Sequence, residues 1–556
     1  METKPWLANY DDGIPASLHP YPQTTLFDIV SETARLRPQH TALIFKGNKV
    51  SYAELESRSN AFAAALTELG VKKGDRVAII MPNCPQYVIA ELGIWKAGGI
   101  VASINPLYTE PELEHALGEC GAETVVVLTR FYDKIKRVQA KTAVRRVIAT
   151  NIREYLPPMM MVLFTLLKEK KEGDRVTLQA GDLQFSELIQ QHEKSPRPPV
   201  RIDPQDPGLI LFTGGTTGVS KAAFASHRAL VMAGMQISEW FKSTLVDWDE
   251  RFLGSLPLFH VFAAVGAQSV AFVRRGSLIL IPNPRDIPDV VETIGKTQPT
   301  FMPGVPTFFQ ALLNNEQVKS GKANLKSIKL CISGAAPLLQ ETKERFEQTT
   351  GGRIVEGYAL TESTMAACLT PVKGKYKVGS VGMPISDVQV RILDADTAQR
   401  ELPLGEVGEI AMTAPELMLG YWGRPETTSE ILRDGWLYTG DLGYMDEDGY
   451  LFIVDRKKDV IKPAGFQVWP REVEEVIARH PAVAEVAVAG VRDEYQGEAV
   501  KAFVVLREGQ AATVDDIRNF CRQSLTGYKV PKFVEFRTAL PKSSVGKVLR
   551  RELWNK

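Results

Sequence analysis

The sequence predicts an α/β protein: a large N-terminal body of two α/β sheets, a small β subdomain, and a small α+β domain at the C-terminus. Three observations predict it. The chain has 556 residues, well beyond the roughly 250–300 at which one core stops growing, so two or three domains are expected. Apolar runs alternate with helix-like stretches along most of its length, the rhythm of a parallel sheet covered on both faces. After about residue 375 the rhythm changes to short strands with Gly- and Asp-rich turns.

Taken in order, Arg76 to Met81 reads as a strand, Gln86 to Lys96 as a helix, Gly99 to Ile104 as a strand, and "AETVVVL" at 122–128 as another. The rhythm returns between 207 and 370, where "GLILF", "RFLGSLPL", "SLILI", "TFMPG" and "KLCIS" read as strands with helical connections. Pro-rich "SPRPPVRIDPQDPG", 195–208, reads as a connector between two halves whose sheets pack as one body. "ELPLGEVGEIAM" and "YMDEDGYLFIVDR" give the β subdomain, about 375–455. Its "DEDG" lacks the spaced ligands and terminal Glu of a calcium loop and reads as a hairpin turn. Beyond Arg456, amphipathic "PREVEEVIARH", strand-like "VAEVAVAGV" and "KAFVVL", and helical "VDDIRNFCRQSL" make a compact α+β unit. The expected domains are therefore 1–455 and 456–556.

The 66 basic and 66 acidic residues cancel, which leaves a nucleic-acid partner without an electrostatic footprint. The five cysteines, Cys84, Cys120, Cys331, Cys368 and Cys521, have no metal-ligand spacing and read as reduced core thiols of a cytoplasmic protein. The start, "METKPWLANYDDGIP", lacks the basic and apolar regions of an export signal. "YLPPMMMVLFTLLKEKK" is apolar from Tyr155 to Leu167, short of the ~20 residues that span a bilayer. Two readings stay open. It is a buried or capping helix, or it rests peripherally on the inner face of the cell membrane with Lys168, Lys170 and Lys171 toward headgroups.

Four stretches carry phosphate or nucleotide chemistry. In "LILFTGGTTGVSKAAF", 209–224, Gly214, Gly215 and Gly218 alternate with Thr213, Thr216 and Thr217 before Lys221. Small residues let N–H groups and hydroxyls converge on phosphate oxygens, and the lysine adds charge. Val219 and Ser220 separate that lysine from the last glycine, so this is not the ordinary P-loop spacing. "VEGYALTES" offers the Thr361 hydroxyl and the Glu362 carboxylate, a hard ligand suited to Mg²⁺; alone it also reads as a helix cap with a first-turn acid. "DGWLYTGDLGYM" places Asp441 after a glycine, suited to accept from ribose hydroxyls, and "PKSSVGKVLRREL" sets Lys547 in a polar loop.

These four occur in the order and approximate spacing of the adenylate-forming superfamily, with "PLFHVF" (257–262), "SGAAPL" (333–338) and "DRKKDVIKPAGFQVWPREVEEV" (455–476) alongside. Over nearly its whole length the sequence resembles acyl-CoA synthetases, most closely bacterial long-chain fatty acid–CoA ligases. The resemblance implies two half-reactions: a fatty acid carboxylate attacks the α-phosphate of MgATP, giving acyl-AMP and pyrophosphate, then coenzyme A displaces AMP. It puts Lys547 on the α-phosphate, Thr213 to Thr217, Gly218 and Lys221 on the outer phosphates, Thr361 near the α-phosphate, and Glu362 with Thr217 on Mg²⁺. It implies Asp441 and Arg456 at the ribose, and Gly334, Ala335, Glu356, Gly357 and Tyr358 around the adenine. His260 would guard the acyl entrance, although a histidine satisfied in the core is the alternative. Lys458 would be the hinge of a mobile C-terminal domain that brings Lys462, Gly465 and Phe466 to the pantetheine.

Departures from the family pattern are Ala222 and Ala223 after the loop lysine, Ala359 in place of a frequent glycine, and Ala464. Long-chain acids are the substrate the resemblance implies, and each buried CH₂ adds ~0.8 kcal/mol in an apolar tunnel. Medium-chain or aryl acids, a stand-alone adenylating enzyme serving a carrier protein, a non-turning-over nucleotide binder and a homodimer stay open.

Overall fold

The computed structural model describes residues 4–213, 220–464, 466, 468–543 and 548–553. Among these, the strands form sheets of nine, eight, five and three strands. The eight-stranded sheet holds Arg76–Ile80, Ile100–Ser103, Thr124–Leu128, Arg146–Thr150 and Pro207–Phe212 in parallel. Runs such as "TVVVL" are buried at every residue, as expected of strands covered on both faces. The nine-stranded sheet holds Thr41–Phe45, Ser277–Leu280, Arg251–Gly254, Phe301–Gly304, Leu330–Ser333 and Arg353–Tyr358, also parallel. One apolar core takes residues from both sheets, so they form a single body.

Helix Pro85–Lys96 is buried along its whole length. Its Gly93 is required by a close approach, because a Cβ there would lie 2.7 Å from Phe62 Cδ1. Its buried Lys96 ammonium is satisfied by Glu56 Oε2, Ser59 Oγ and Asn60 Oδ1 at 2.7–2.8 Å.

Two features differ from the sequence reading. The connector at 195–208 does not separate the sheets: Pro207–Phe212 and its antiparallel neighbour Ala222–Ser226 belong to the first sheet, while Thr41–Phe45 joins the second. The run "RFLGSLPL" leaves its sheet after Gly254. The Asn83 side chain takes over there, donating to the Gly254 and Leu256 carbonyls at 2.9 and 2.7 Å and accepting the Leu258 N–H at 2.8 Å.

The third sheet is antiparallel and contains Gln389–Leu393, Gly408–Thr413, Trp436–Met445 and Leu451–Arg456. The turn at 446–449 is closed by a Gly449 N–H to Asp446 carbonyl bond of 2.9 Å. Near the C-terminus, Val483–Asp493, Gly497–Leu506 and Phe533–Phe536 form the three-stranded sheet, covered by helices Pro470–Ala478 and Val514–Arg522. All five cysteines are buried. Helix Pro158–Leu167 contains no buried residue although Tyr155 before it is buried, which overturns the buried half of the buried-or-capping reading of this segment. No helix among the described residues is long and apolar enough to cross a membrane.

Candidate functional site

The site lies where the carboxyl ends of the parallel strands meet the antiparallel subdomain. Strand Pro207–Phe212 delivers Thr213, whose N–H donates to the Lys221 carbonyl at 2.9 Å, while Ser220 Oγ donates to the Thr213 carbonyl at 2.7 Å. These bonds close the neck of the Gly/Thr loop. Gly214, Gly215, Thr216, Thr217 and Gly218 lie outside the described residues. Ala222 and Ala223 continue as strand in register with Phe212 and Leu211, so the two alanines after the lysine are accommodated in ordinary extended backbone.

Tyr421 reaches the loop because Gly420–Tyr421 pairs with Phe224 and Ala223. The Lys221 ammonium lies 4.9 Å from the centre of the Tyr421 ring, and the Tyr421 hydroxyl donates to Glu362 Oε1 at 2.7 Å. Burial and the Glu362 charge raise the Tyr421 phenol far above its usual range. It is therefore a fixed donor. Thr361 and Glu362 lie in a turn and not at a helix start, which removes the helix-cap reading. Thr364 and Met365 take left-handed backbone, φ 48° and 73°, and the Glu362 carbonyl accepts the Met418 N–H at 3.1 Å.

A second cluster centres on Asp441. Antiparallel register places it opposite Arg456. Asp441 Oδ1 accepts from Arg456 Nε at 3.0 Å, and its Oδ2 accepts from the Tyr358 hydroxyl at 2.7 Å. Burial opposes charge on Arg456, yet Asp441 and Tyr358 more than offset it and raise its pKa further. Glu362 also favours the charged form of Arg456, so the two clusters lie within electrostatic reach of each other. At Lys458 burial lowers the pKa, aided by Arg456 and, more weakly, by Lys221.

Gly334, Ala335 and Gly357 line the strand ends beside this cluster. A Cβ at Gly334 would lie 3.2 Å from Phe262 Cε1 and 3.4 Å from the Gly357 carbonyl oxygen. Ala335 has φ 69°. Buried Glu356 accepts from the Tyr376 hydroxyl at 2.6 Å, and burial raises its pKa. His260 precedes Phe262, and its Nδ1 accepts the Phe262 N–H at 3.3 Å, which leaves the proton of the neutral ring on Nε2. It is half-buried in the segment that abuts Gly334 and not deep in the core.

Lys462 and Phe466 have partners further along the C-terminal part of the chain. The Lys462 N–H donates to Glu498 Oε2 at 2.7 Å, and Phe466 stacks on Tyr528 at 4.7 Å. Ala464 has φ 50°, a conformation that favours glycine over residues with a Cβ. Gly465 and Lys547 lie outside the described residues.

Four residues not singled out in the sequence also belong to the site. One is Tyr421. The others brace the loop from behind: His115 Nε2 lies 2.9 Å from the Ser220 carbonyl and 2.8 Å from Glu119 Oε2, Glu119 Oε1 accepts the Ala222 N–H at 3.2 Å, and Arg424 Nη2 reaches Glu119 Oε2 at 2.9 Å. The only signal for the pair His115 and Glu119 was their i,i+4 spacing on helix Glu110–Cys120.

Among the described residues no three His, Cys, Asp or Glu side chains form a metal-binding group. The lone Glu362 carboxylate fits Mg²⁺, which keeps several waters and takes further oxygens from phosphate.

The profile of the AMP-binding enzyme family matches residues 30–422, and that of the AMP-binding enzyme C-terminal domain matches 472–547. A long-chain-fatty-acid–CoA ligase of Bacillus subtilis (strain 168) is 39% identical over 551 residues, 99% of this chain and 97% of that protein. The crystal structure of ATP-bound MatB from Rhodopseudomonas palustris superposes with a TM-score of 0.81 at 30% identity, covering 96% of this chain and 98% of that one. The anthranilate CoA ligase AuaEII, in complex with anthranoyl-AMP, superposes with a TM-score of 0.83 at 25% identity over 96% and 97% of the two chains.

Proposed function

The chain belongs to the AMP-binding enzyme family and is an acid–thiol ligase, and from that premise we propose that its acid is a long-chain fatty acid, joined to coenzyme A through an acyl-AMP intermediate. The observation that carries the acyl-AMP reading is the pair of clusters Lys221–Tyr421–Glu362 and Tyr358–Asp441–Arg456. The substrate reading is supported by identity of about 40% with proteins named long-chain-fatty-acid–CoA ligase along the whole chain.

In the first step a carboxylate oxygen of the acid bonds to the α-phosphorus of ATP, and the bond to the bridging oxygen breaks, releasing pyrophosphate. Positioning and charge stabilisation dominate such a transfer. Lys221 and the hydroxyls of Thr213, Thr216 and Thr217 hold the departing phosphates, Thr361 and Lys547 the α-phosphate. Each carboxylate oxygen of Asp441 keeps one lone pair after accepting from Arg456 or Tyr358, so two ribose hydroxyls can donate to it. Glu362 and Thr217 would hold Mg²⁺, which when bound neutralises charge on the phosphates. His260 separates the acid from the nucleotide. In the second step the coenzyme A thiol bonds to the acyl carbon and AMP leaves. Lys458 is the hinge by which 456–556 exchanges Lys547 for Lys462, Gly465 and Phe466.

The test is incubation with MgATP and a panel of acids of graded length, with aryl acids included, with and without coenzyme A. Long-chain acids are expected to give pyrophosphate without the thiol, and AMP plus thioester with it. An aryl or short acid turned over best would replace the long-chain reading. Thioester forming only on a carrier protein would replace the acceptor.

The brace behind the loop makes its own prediction. Glu119→Ala removes the acceptor shared by Ala222, His115 and Arg424, and a hydrogen bond to a charged group is worth about 1.5–3 kcal/mol. The KM for ATP is expected to rise about tenfold or more, at ~1.4 kcal/mol per decade, with the KM for coenzyme A unchanged. Steady-state titration of each substrate checks it, and equal shifts in both would remove the positioning role.

A further inference from the structure

Helix Pro158–Leu167, "PMMMVLFTLL", is apolar at every position but Thr165, yet none of its residues is buried and only Phe164 and Thr165 are partly covered. Met159, Leu166 and Leu167 are 75%, 74% and 69% exposed. A helix apolar on all sides persists only against another apolar phase, and a contiguous exposed apolar patch marks an interaction surface. At ten residues the helix is roughly 15 Å long, half of what a bilayer core requires. It can lie in an interface but not cross one.

The charges around its end favour one occupant. Buried Glu169 is neutralised by Arg153 Nη1 at 2.8 Å and Arg175 Nη2 at 3.2 Å, and it accepts from Asn151 Nδ2 at 3.0 Å. Glu172 is paired with Arg130. Lys168, Lys170 and Lys171 are exposed beside these satisfied acids, so the net local charge is positive. The same network fixes the helix, because Arg175 Nη2 also donates to the Thr165 carbonyl at 3.0 Å.

The helix follows strand Arg146–Thr150, four places from Pro207–Phe212 in one parallel sheet. It therefore leaves the same carboxyl edge as the phosphate loop, roughly 19 Å along at the usual strand spacing. We propose that residues 158–171 dock the protein on an anionic lipid bilayer, the helix lying at the headgroup–acyl boundary and Lys168, Lys170 and Lys171 on the phosphates.

Cosedimentation with vesicles of phosphatidylcholine, or of phosphatidylcholine and phosphatidylglycerol in equal parts, tests this without ATP or acid, so its failure leaves the ligase reading intact. The protein is expected to prefer the anionic vesicles and to lose that preference as salt is raised. Met160→Ser, Leu163→Ser and Leu166→Ser together should weaken binding about tenfold or more. Lys168→Glu, Lys170→Glu and Lys171→Glu together should abolish the preference for phosphatidylglycerol. With no buried side chain touched, both variants should keep the parent melting temperature and the parent pyrophosphate release with a soluble short acid. Failure of the parent protein to bind either vesicle, or equal binding by all three proteins, overturns the proposal. So does a solution dimer that the serine variant dissociates without loss of vesicle binding, because a second copy then covers the helix. Should the serine variant unfold, the lysine variant decides: unchanged binding to anionic vesicles overturns the proposal.

Discussion

Glu362→Gln is expected to lower pyrophosphate release from MgATP and acid by about 10²–10³-fold, the usual cost of losing one preorganised electrostatic group. The substitution is nearly silent structurally. An amide oxygen can accept the Tyr421 hydroxyl as Glu362 Oε1 does at 2.7 Å, and the Met418 N–H bonds to the residue 362 backbone whatever the side chain. What disappears is one negative charge next to the Lys221–Tyr421 contact. An amide is also a poor ligand for a hard cation, so the Mg²⁺ concentration for half-maximal rate should rise. Pyrophosphate release followed across a Mg²⁺ titration at fixed ATP, beside a melting curve, separates the outcomes. Full activity with an unshifted titration would remove Glu362 from the metal role, and a lowered melting temperature would mark it as structural.

The contrast between Glu362 and Glu119 shows how much of the site a linear sequence carries. Glu362 lies in "GYALTE", where turn residues and a hard acid are chain neighbours, and it is legible as a ligand without a fold. Glu119 looks like any acid on an amphipathic helix, and it meets the loop only because that helix packs against strand Ala222–Ser226. Tyr421 is hidden for the same reason: its position depends on pairing with Ala223, and no local spacing encodes a strand partner so distant in the chain. The fold divides likewise. Apolar runs such as Thr124–Leu128 announce strands because burial on both faces demands them. Which sheet a strand joins depends on crossovers, so "GLILF" is legible as a strand but reads with the wrong half, and Thr41–Phe45, which the sequence reading does not single out, joins the second sheet. The Met-rich helix was ambiguous because composition reports hydrophobicity and not whether anything covers it.

Asp441→Asn should have a comparably large effect, and a thermodynamic cycle can assign it. Asp441 is only 4% exposed and accepts from both Tyr358 and Arg456. Asparagine keeps the shape but turns an NH₂ toward one of those donors and leaves Arg456 without its ion-pair partner, with Asp459 and Glu362 as the remaining negative charges in its field. Asp441 is buried but Arg456 only half so, which puts the cost between the ~1 kcal/mol of an exposed pair and the about 3–5 kcal/mol of a fully buried one, to be shared between a lower melting temperature and a reduced kcat/KM for ATP. Loss of activity alone would not distinguish ribose binding from a misplaced Arg456. Comparing ATP with 2′-deoxy-ATP and 3′-deoxy-ATP does. If Asp441 accepts from the ribose hydroxyls, the parent enzyme should discriminate against a deoxynucleotide by about tenfold or more, and the variant much less, because removing either partner of one hydrogen bond removes the same interaction. If parent and variant discriminate equally against both deoxynucleotides, Asp441 holds Arg456 and Tyr358 in place and does not touch the ribose.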